Sequence, residues 1–182
     1  MRKSRVEAAL TRKRIVSSAA GEFRKNGIIA TKLADLMKSA GLTHGGFYKH
    51  FESKEQLVAE ASVEAVEDLI KMLSAAGSNA GAVYLSTNHR DNPSTGCPLS
   101  AIGSELGRCD EKTRAVATDC FLQLVDLMAK RFDKLPPHLA RKRALVAVLT
   151  MIGALTMSRI VTETKLSAEI LKEAQKSLAD HS

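Results

Sequence analysis

Side chains that donate hydrogen bonds crowd one short segment near residue 45. Donors of this kind bind phosphate oxygens and the edges of bases in a DNA groove. Gly45 lies among them and has no side chain, so the backbone there can approach a ligand closely. The donors are Thr43, His44, Tyr48, Lys49 and His50. These residues can be left facing outward when their apolar neighbours face inward.

The positive charge of the chain is concentrated at its N-terminal end. The formal net charge is +7 over 182 residues. Residues 1–60 carry 12 Lys or Arg against 6 Asp or Glu, whereas residues 61–182 carry 15 against 14. A basic segment attached to a nearly neutral body is typical of a phosphate-binding head on a separate scaffold. A merely solvated basic surface would have the same composition.

The sequence lacks the motifs of the common enzyme classes. It has no phosphate-binding loop, no His and carboxylate residues at metal-ligand spacing, and no Gly-x-Ser-x-Gly elbow. Three cysteines without a Cys-x-x-Cys pair disfavour a disulfide framework and a structural zinc site. We therefore expect no catalysis, no metal and no cofactor, and we expect a reducing cytoplasm as the location.

Composition and periodicity predict an all-α fold. Aromatic residues make up 4% of the chain and Trp is absent, whereas Ala, Leu, Lys and Glu are frequent. Apolar residues recur at helical spacing, and no long segment alternates with a period of two. The longest apolar run, residues 144–157, has polar and glycine interruptions and is too short to cross a bilayer, so we expect no membrane partner.

Glycines that end helices and side chains that cap them divide the first third of the chain into four helices. The predicted helices cover residues 11–25, 32–40, 44–50 and 54–76. The glycines are Gly27 and Gly41, and the caps are Thr31, Thr43 and Ser53, the last in a capping box with Gln56. The two short helices meet at a tight turn, with Leu33, Leu36, Leu42, Phe47 and Phe51 expected to face inward.

The remaining two thirds of the chain are predicted to be helical apart from turns. A loop is expected at residues 88–96, which are rich in Asn, Pro and Gly, and Pro136-Pro137 interrupt the chain further on. Ser167 is expected to cap the last helix. The predicted helices cover residues 80–85, 98–106, 112–135, 139–164 and 167–179.

Residues 31–57 resemble the helix-turn-helix of the TetR family of bacterial transcriptional regulators. The resemblance extends over residues 11–60, a third of the chain, and it depends on several positions together. They are Thr31, Ala40-Gly41-Leu42-Thr43, Gly45, Phe47-Tyr48, His50-Phe51 and Ser53-Lys54-Glu55. It implies a helix-turn-helix head at residues 1–56, joined by a long helix to an effector-binding helical bundle at 57–182 that dimerises.

The resemblance also assigns roles in binding double-stranded DNA. The helix at residues 44–50 would enter the major groove, where Gly45 lets its backbone come close. His44 and Lys49 are the candidates for contacts to base edges, and Arg12 is the candidate for non-specific attraction. The candidates for phosphate contacts are Thr43, Tyr48, His50 and Lys54, and Thr31 joins the DNA-binding set as a helix cap. Alternatively, Tyr48 belongs partly to the core and the histidines are exposed without a role.

Met37 departs from the family pattern, in which a smaller Ala is more frequent at this position. An extra side-chain volume at a tight helix crossing is costly unless space is available. Gly46 stands where the family usually has a small side chain. We therefore expect Met37 to fill the space that Gly46 leaves.

Family members dimerise through their last two helices, which brings two heads to successive major grooves about 34 Å apart on a palindromic operator. In this chain those helices would cover about residues 139–164 and 167–179. The first is apolar around most of its circumference, as a helix shared by a core and an interface is. A central core helix of a monomer is the alternative.

The resemblance further implies a small-molecule effector, unidentified by the sequence, that binds between head and interface and releases a repressor from its operator. The candidate lining residues are Tyr84, Cys97, Phe121, Leu124, Met128, Met151 and Met157. Apolar residues at such spacing are also typical of an ordinary core.

Gly96-Cys97-Pro98-Leu99 resembles a Gly-Cys motif of a TetR subgroup, some of whose members sense electrophiles or oxidants. Cys97 lies at a predicted helix start, where the helix dipole lowers the pKa of a thiol, and His89 and Arg90 are near in sequence. A sensor that acts through Cys97 is therefore the second hypothesis for the function. The structural alternative, a buried small apolar side chain, is the one we favour.

Overall fold

The computed structural model describes residues 5–180, apart from the side chains of His44 and Asp180. This part of the chain is helical and contains no β-strand, so the all-α prediction is confirmed. The α-helices are α1 (Arg5–Asn26), α2 (Leu33–Ser39), α3 (Lys54–Ala76), α4 (Ala80–Tyr84), α5 (Thr87–Asp91), α6 (Pro98–Leu106), α7 (Glu111–Ala129), α8 (Pro137–Ile160) and α9 (Thr164–Asp180). Short 3-10 helices cover His44–Lys49, Gly77–Asn79, Pro93–Thr95 and Lys130–Phe132.

The local signals at the start of the chain act as predicted in most places. Gly27 and Gly41 follow α1 and α2 with φ angles of 86° and 71°, the left-handed conformation expected of helix-ending glycines. Ser53 Oγ accepts the N–H of Gln56 at 3.1 Å. Gln56 Oε1 accepts the N–H of Glu52 at 2.8 Å, one residue earlier than in a standard capping box.

Three predicted caps are wrong. Thr43 precedes the segment His44–Lys49, but its side chain makes no capping hydrogen bond. Lys32, not Thr31, precedes α2, and no side chain caps that helix. The Thr31 side chain is buried, and its hydroxyl donates to the carbonyl of Gly27 at 2.6 Å because the loop folds back on the end of α1. Ser167 lies inside α9, where its hydroxyl donates to the Ser158 carbonyl at 2.6 Å.

The predicted loop at residues 88–96 contains α5 and the 3-10 turn Pro93–Thr95 instead. The missed signal is Ser86, whose Oγ accepts the N–H of His89 at 3.1 Å and so caps α5. The predicted helix over residues 112–135 ends as α7 at Ala129, and the chain continues in a 3-10 turn before the two prolines.

Two apolar cores organise the molecule. The core of the head joins α1, α2, the start of α3 and two residues of α6; its largest buried members include Ile15, Phe23, Leu36, Met37, Phe47, Leu57, Ile102 and Leu106. The core of the body joins α3, α4, α7, α8 and α9; it includes Leu69, Leu73, Tyr84, Leu124, Met151, Leu155 and Leu171. Because α3 contributes to both cores, it holds the head in a defined position on the body.

Met37 and Gly46 lie next to each other, as the expected pairing requires, and the energetic coupling between them stays a prediction. Met37 is fully buried, and a Cβ atom built on Gly46 would lie 3.6 Å from Met37 Cε, in ordinary van der Waals contact. A methyl group at position 46 would therefore fit against the methionine, which borders this position.

Helix α8 is apolar on two sides, as expected. The whole helix is long and apolar enough, by length and composition, to cross a membrane, although the apolar run at residues 144–157 is too short by itself. Its inner side packs in the body core through residues such as Ala144, Val148 and Met151. One helix of this kind is weak evidence for a membrane span.

Candidate DNA interface

The segment His44–Lys49, called the recognition segment below, forms a 3-10 helix rather than the predicted α-helix. Two adjacent glycines, Gly45 and Gly46, disfavour the longer regular helix. Phe47 fixes the segment, because its ring is fully buried and stacks on Phe51 at a centroid distance of 5.5 Å.

Burial of Phe47 turns its neighbours toward solvent. Thr43, Gly45 and Lys49 are exposed, and nothing lies within 4 Å of a Cβ atom built on Gly45. Tyr48 is 69% exposed and packs only its ring edge on Phe47, with centroids 5.1 Å apart. The alternative that Tyr48 belongs to the core is therefore wrong. Contacts of these exposed residues with DNA remain predictions.

The structure describes the side chain of His50 but not that of His44. His50 is half-buried at the end of the recognition segment, and its backbone N–H bonds to the Phe47 carbonyl at 2.9 Å. The side chain of His44, a candidate for contacts to base edges, lies outside the part of the chain described. Phosphate contact by His50 and base contact by His44 therefore stay predictions.

Arg12 is engaged inside the head. Its guanidinium forms a paired salt bridge with Glu60 of α3, and its Nε donates to the carbonyl of His50 at 3.2 Å. The group also lies over the Phe51 ring, 4.4 Å from the centroid. Hydrogen bonding to Glu60 raises the pKa of Arg12. Arg12 thus ties the recognition segment to α1 and α3, a structural role that the sequence did not indicate, and its non-specific attraction to DNA stays a prediction.

Lys54 is likewise turned inward. Its Nζ donates to the carbonyl oxygens of Ile28 and Thr31, at 2.5 and 2.7 Å, and lies 5.9 Å from the centroid of the Phe23 ring. These acceptors belong to the loop between α1 and α2. The expected direct contact between Lys54 and phosphate therefore needs correction, because the ammonium already holds this loop.

The positive surface of the head comes from other residues. Exposed cations on α1, just before α2, on α2 and on the recognition segment are Arg5, Lys13, Lys25, Lys32, Lys38 and Lys49. Arg14 is exposed as well, but its Nη2 donates to the Ala40 carbonyl at 2.7 Å at the end of α2. Sequence analysis missed these internal roles because each partner of the Arg and Lys side chains is distant along the chain.

The predicted effector-pocket residues lie mainly in the core of the body. Tyr84, Leu124 and Met151 are almost completely buried, and Phe121 packs against the same core from a half-buried position. Met157 is 47% exposed on the outer side of α8, so the structure does not bring it together with the buried candidates. Met128 borders a cavity of about 640 Å³ at the ends of α3 and α7.

Cys97 is completely buried, and burial raises the pKa of its thiol. The predicted acidification by a helix start is therefore wrong, because loss of solvation outweighs the effect of the helix dipole. The favoured alternative, a structural cysteine, agrees with this position. The structure lends no support to a redox or electrophile sensor at Cys97.

His89 does fold over Cys97, but it contacts the backbone rather than the sulfur. Its Nε2 accepts the N–H of Cys97 at 2.9 Å, and its Nδ1 donates to the carbonyl of Tyr84 at 2.6 Å. Burial lowers the pKa of His89 to about 4, so the ring is neutral and bridges α4 and α6. A Cβ atom at Gly96 would lie 2.4 Å from Nε2, which explains the glycine there.

Comparison with known proteins agrees with this architecture. Residues 15–61 match the bacterial regulatory proteins of the tetR family, and residues 59–177 match the C-terminal domain of LmrA/YxaF-like transcriptional regulators. The chain belongs to the TetR family. It is accordingly a DNA-binding transcriptional regulator of the helix-turn-helix type and not an enzyme.

Individual relatives cover either most of this TetR-family chain or its head. An uncharacterized HTH-type transcriptional regulator of Mycobacterium tuberculosis is 31% identical over 167 residues, 82% of this chain and 84% of that protein. The probable acrEF/envCD operon repressor of Escherichia coli is 36% identical over 59 residues, 32% of this chain and 27% of its own. A TetR-family regulator of Cytophaga hutchinsonii has the same fold, with a TM-score of 0.80, 23% identity and coverage of 99% and 98%.

Gly45→Ala should separate DNA binding from stability. Since the space beside Gly45 is open, the free energy of unfolding should stay unchanged or rise by up to about 1 kcal/mol. Affinity for a duplex selected from a random pool should fall about tenfold, because the methyl group holds the backbone away from DNA. Denaturant unfolding and fluorescence anisotropy measure the two effects, with Gly46→Ala as the control. Equal affinity of Gly45→Ala and wild type would contradict the close approach.

Lys54→Ala should destabilise the head and leave the salt dependence of DNA binding unchanged. Loss of two hydrogen bonds from a half-buried ammonium should cost about 1–2 kcal/mol of unfolding free energy. Lys32→Ala, at an exposed position on the same head, is the control for stability. A stable Lys54→Ala variant with a shallower salt slope would instead return this side chain to the phosphate contacts.

His89 should make the protein less stable in acid. Its pKa is lowered in the folded state, so the unfolded chain binds more protons between pH 6.5 and about 4, and stability is lost as the pH falls through this window. The free energy of unfolding lost in this way is at most about 3 kcal/mol. Unfolding free energies of wild type and His89→Gln, measured from pH 7 downward, should converge in this window. The exposed His138→Gln is the control and should follow wild type.

Proposed function

We propose that the protein is a homodimeric repressor that binds a palindromic operator through two recognition segments and leaves it when a small-molecule effector binds the body. The observation that carries the proposal is the exposed recognition segment, fixed on the buried Phe47 ring. The similarity of the head to a probable operon repressor favours repression over activation. Since its target is chromosomal DNA, we place the protein in the cytoplasm.

A dimer is needed because one short segment reaches few base pairs. In homodimers of helix-turn-helix proteins the two segments contact successive major grooves, about 34 Å apart. The outer side of α8 and the start of α9 carry large apolar side chains that remain exposed in the single chain; they are Leu139, Val146, Leu149, Met157, Ile160 and Leu166. An exposed stripe of this kind marks a protein–protein interface. It supports dimerisation through α8 and α9.

Direct ties between head and body provide a path for release. Arg24 at the end of α1 donates to the carbonyl of Gly96 at 2.9 Å. Glu105 of α6 accepts the N–H of Ile29, in the loop after α1, at 2.8 Å. A shift of α6 would therefore move the head, and with it the separation of the two recognition segments. A ligand acts on such an equilibrium only through different affinities for its two states.

Selection of bound sequences from a random duplex pool tests the proposal. We expect a palindrome whose half-sites are about one helical turn apart. Val146→Glu should yield monomers in sedimentation and lose most of its affinity for that duplex, because a charge enters the apolar stripe. Gln123→Glu adds the same charge at an exposed site on α7 and should remain dimeric. A non-palindromic preference, or a monomer that binds with full affinity, would overturn the proposal.

A further inference from the structure

A cavity with a charged lining lies at the end of the body that is far from the recognition segment. Its volume is about 640 Å³, which is within the range of small-molecule sites. It opens where α3 and α7 end, beside the turns Gly77–Asn79 and Lys130–Phe132. It shares Met128 with the predicted effector pocket and is otherwise lined by different residues.

The lining is divided into an apolar and a polar part. Leu73, Leu127 and Met128 offer an apolar wall, of which Leu73 and Met128 also belong to the body core. The polar part consists of Ser74, Ser78, Lys130, Arg131 and Asp133. A ligand that satisfies both parts is amphipathic.

Arg131 gives the polar part an unsatisfied hydrogen-bond donor. Its Nη1 is buried and has no hydrogen-bond partner among the described residues. An unpaired buried donor costs free energy, and a guanidinium recovers most from a carboxylate, with which it forms two parallel hydrogen bonds. The position of Arg131 after the C-terminus of α7 suits the helix dipole, but the dipole supplies no acceptor for Nη1.

The residues around the cavity carry a net positive charge. Residues 130–143 contain six Lys or Arg against one Asp, and Lys130 is exposed beside the cavity. Asp133 is the acidic residue of the lining, so the two cations there leave an excess of positive charge. This field attracts an anion and opposes a cationic ligand.

We infer that this cavity binds an organic carboxylate that carries an apolar chain. The carboxylate pairs with Arg131 and Lys130, and the chain lies against Leu73 and Leu127. The inference names the class of effector for the proposed function, and its regulatory part rests on that proposal. Helix α3 passes from Leu73 at the cavity to Lys54 in the head, so a ligand that displaces its end also acts on the head.

Three probes of equal chain length test the charge requirement on the free protein: sodium octanoate, octan-1-ol and octylammonium chloride. We expect saturable binding of octanoate in calorimetry and a rise in Tm. Octan-1-ol should bind roughly tenfold more weakly, because it offers the apolar chain without the anion. Octylammonium should bind more weakly still. Equal binding of octanoate and octan-1-ol, or no binding of octanoate at millimolar concentration, would overturn the inference.

Variants locate the site. Arg131→Gln should weaken octanoate binding roughly tenfold and leave octan-1-ol binding unchanged. Arg141→Gln, at an exposed residue that pairs with Asp126, removes the same charge outside the cavity and should bind octanoate as wild type does. If Arg131→Gln does not fold, Ser78→Glu, which adds a carboxylate to the lining, should weaken octanoate binding instead. Unchanged octanoate binding by the folded variant would overturn the site.

The regulatory part has its own measurement. Octanoate should lower the affinity of wild type for the selected duplex and should not do so for Arg131→Gln. These binding experiments use no DNA in their first stage, so failure to bind octanoate is distinct from failure to select a palindrome. Octanoate that binds through Arg131 without changing DNA affinity would refute the regulatory part alone.

Discussion

Burial of Phe47 is the interaction on which the DNA-binding surface depends. The ring enters the core of the head and stacks on Phe51, so that one anchored side chain fixes a segment only six residues long. Because side chains on consecutive positions of a tight helix point in different directions, anchoring Phe47 turns Tyr48 and Lys49 outward. The two glycines before it lower the regularity of the segment and leave its front open. The geometry needed for groove binding is therefore a consequence of core packing.

Cations in the head serve two purposes that composition does not distinguish. Arg12 and Lys54 hold backbone carbonyls at the end of the recognition segment and in the loop before α2. Such bonds fix the positions of neighbouring surfaces from inside the head. The exposed lysines remain the candidates for long-range attraction to DNA, an attraction that salt weakens. A head with a given net charge can thus use part of that charge for its own rigidity.

In the body, helix α8 likewise has two different roles for its two sides. Its inner side completes the apolar core, while its outer side keeps a stripe of large apolar residues exposed, including Val146 and Leu149. In the proposed dimer, a helix with both properties would link the packing of one subunit to its association with the other. The neutral His89 ring and Arg159 bind the backbone of α4, α5 and α6 nearby: Arg159 Nη2 donates to the His89 carbonyl at 2.7 Å. Motion of this region is therefore constrained to move several helices together.

The sequence by itself determined the features that depend on near neighbours. The helices, the left-handed glycines at 27 and 41, the Ser53 cap and the inward position of Phe47 follow from patterns within a few residues. The sequence also contains a local motif that is long enough to identify the helix-turn-helix. Tertiary structure alone decided which charges remain available, because Arg12 and Glu60 are 48 residues apart and Lys54 and Ile28 are 26 apart. It likewise decided that Cys97 is buried and that Met157 is exposed. Helical periodicity shows that a residue faces a partner, but only the packed fold shows whether that partner is the same chain, a ligand or a second copy.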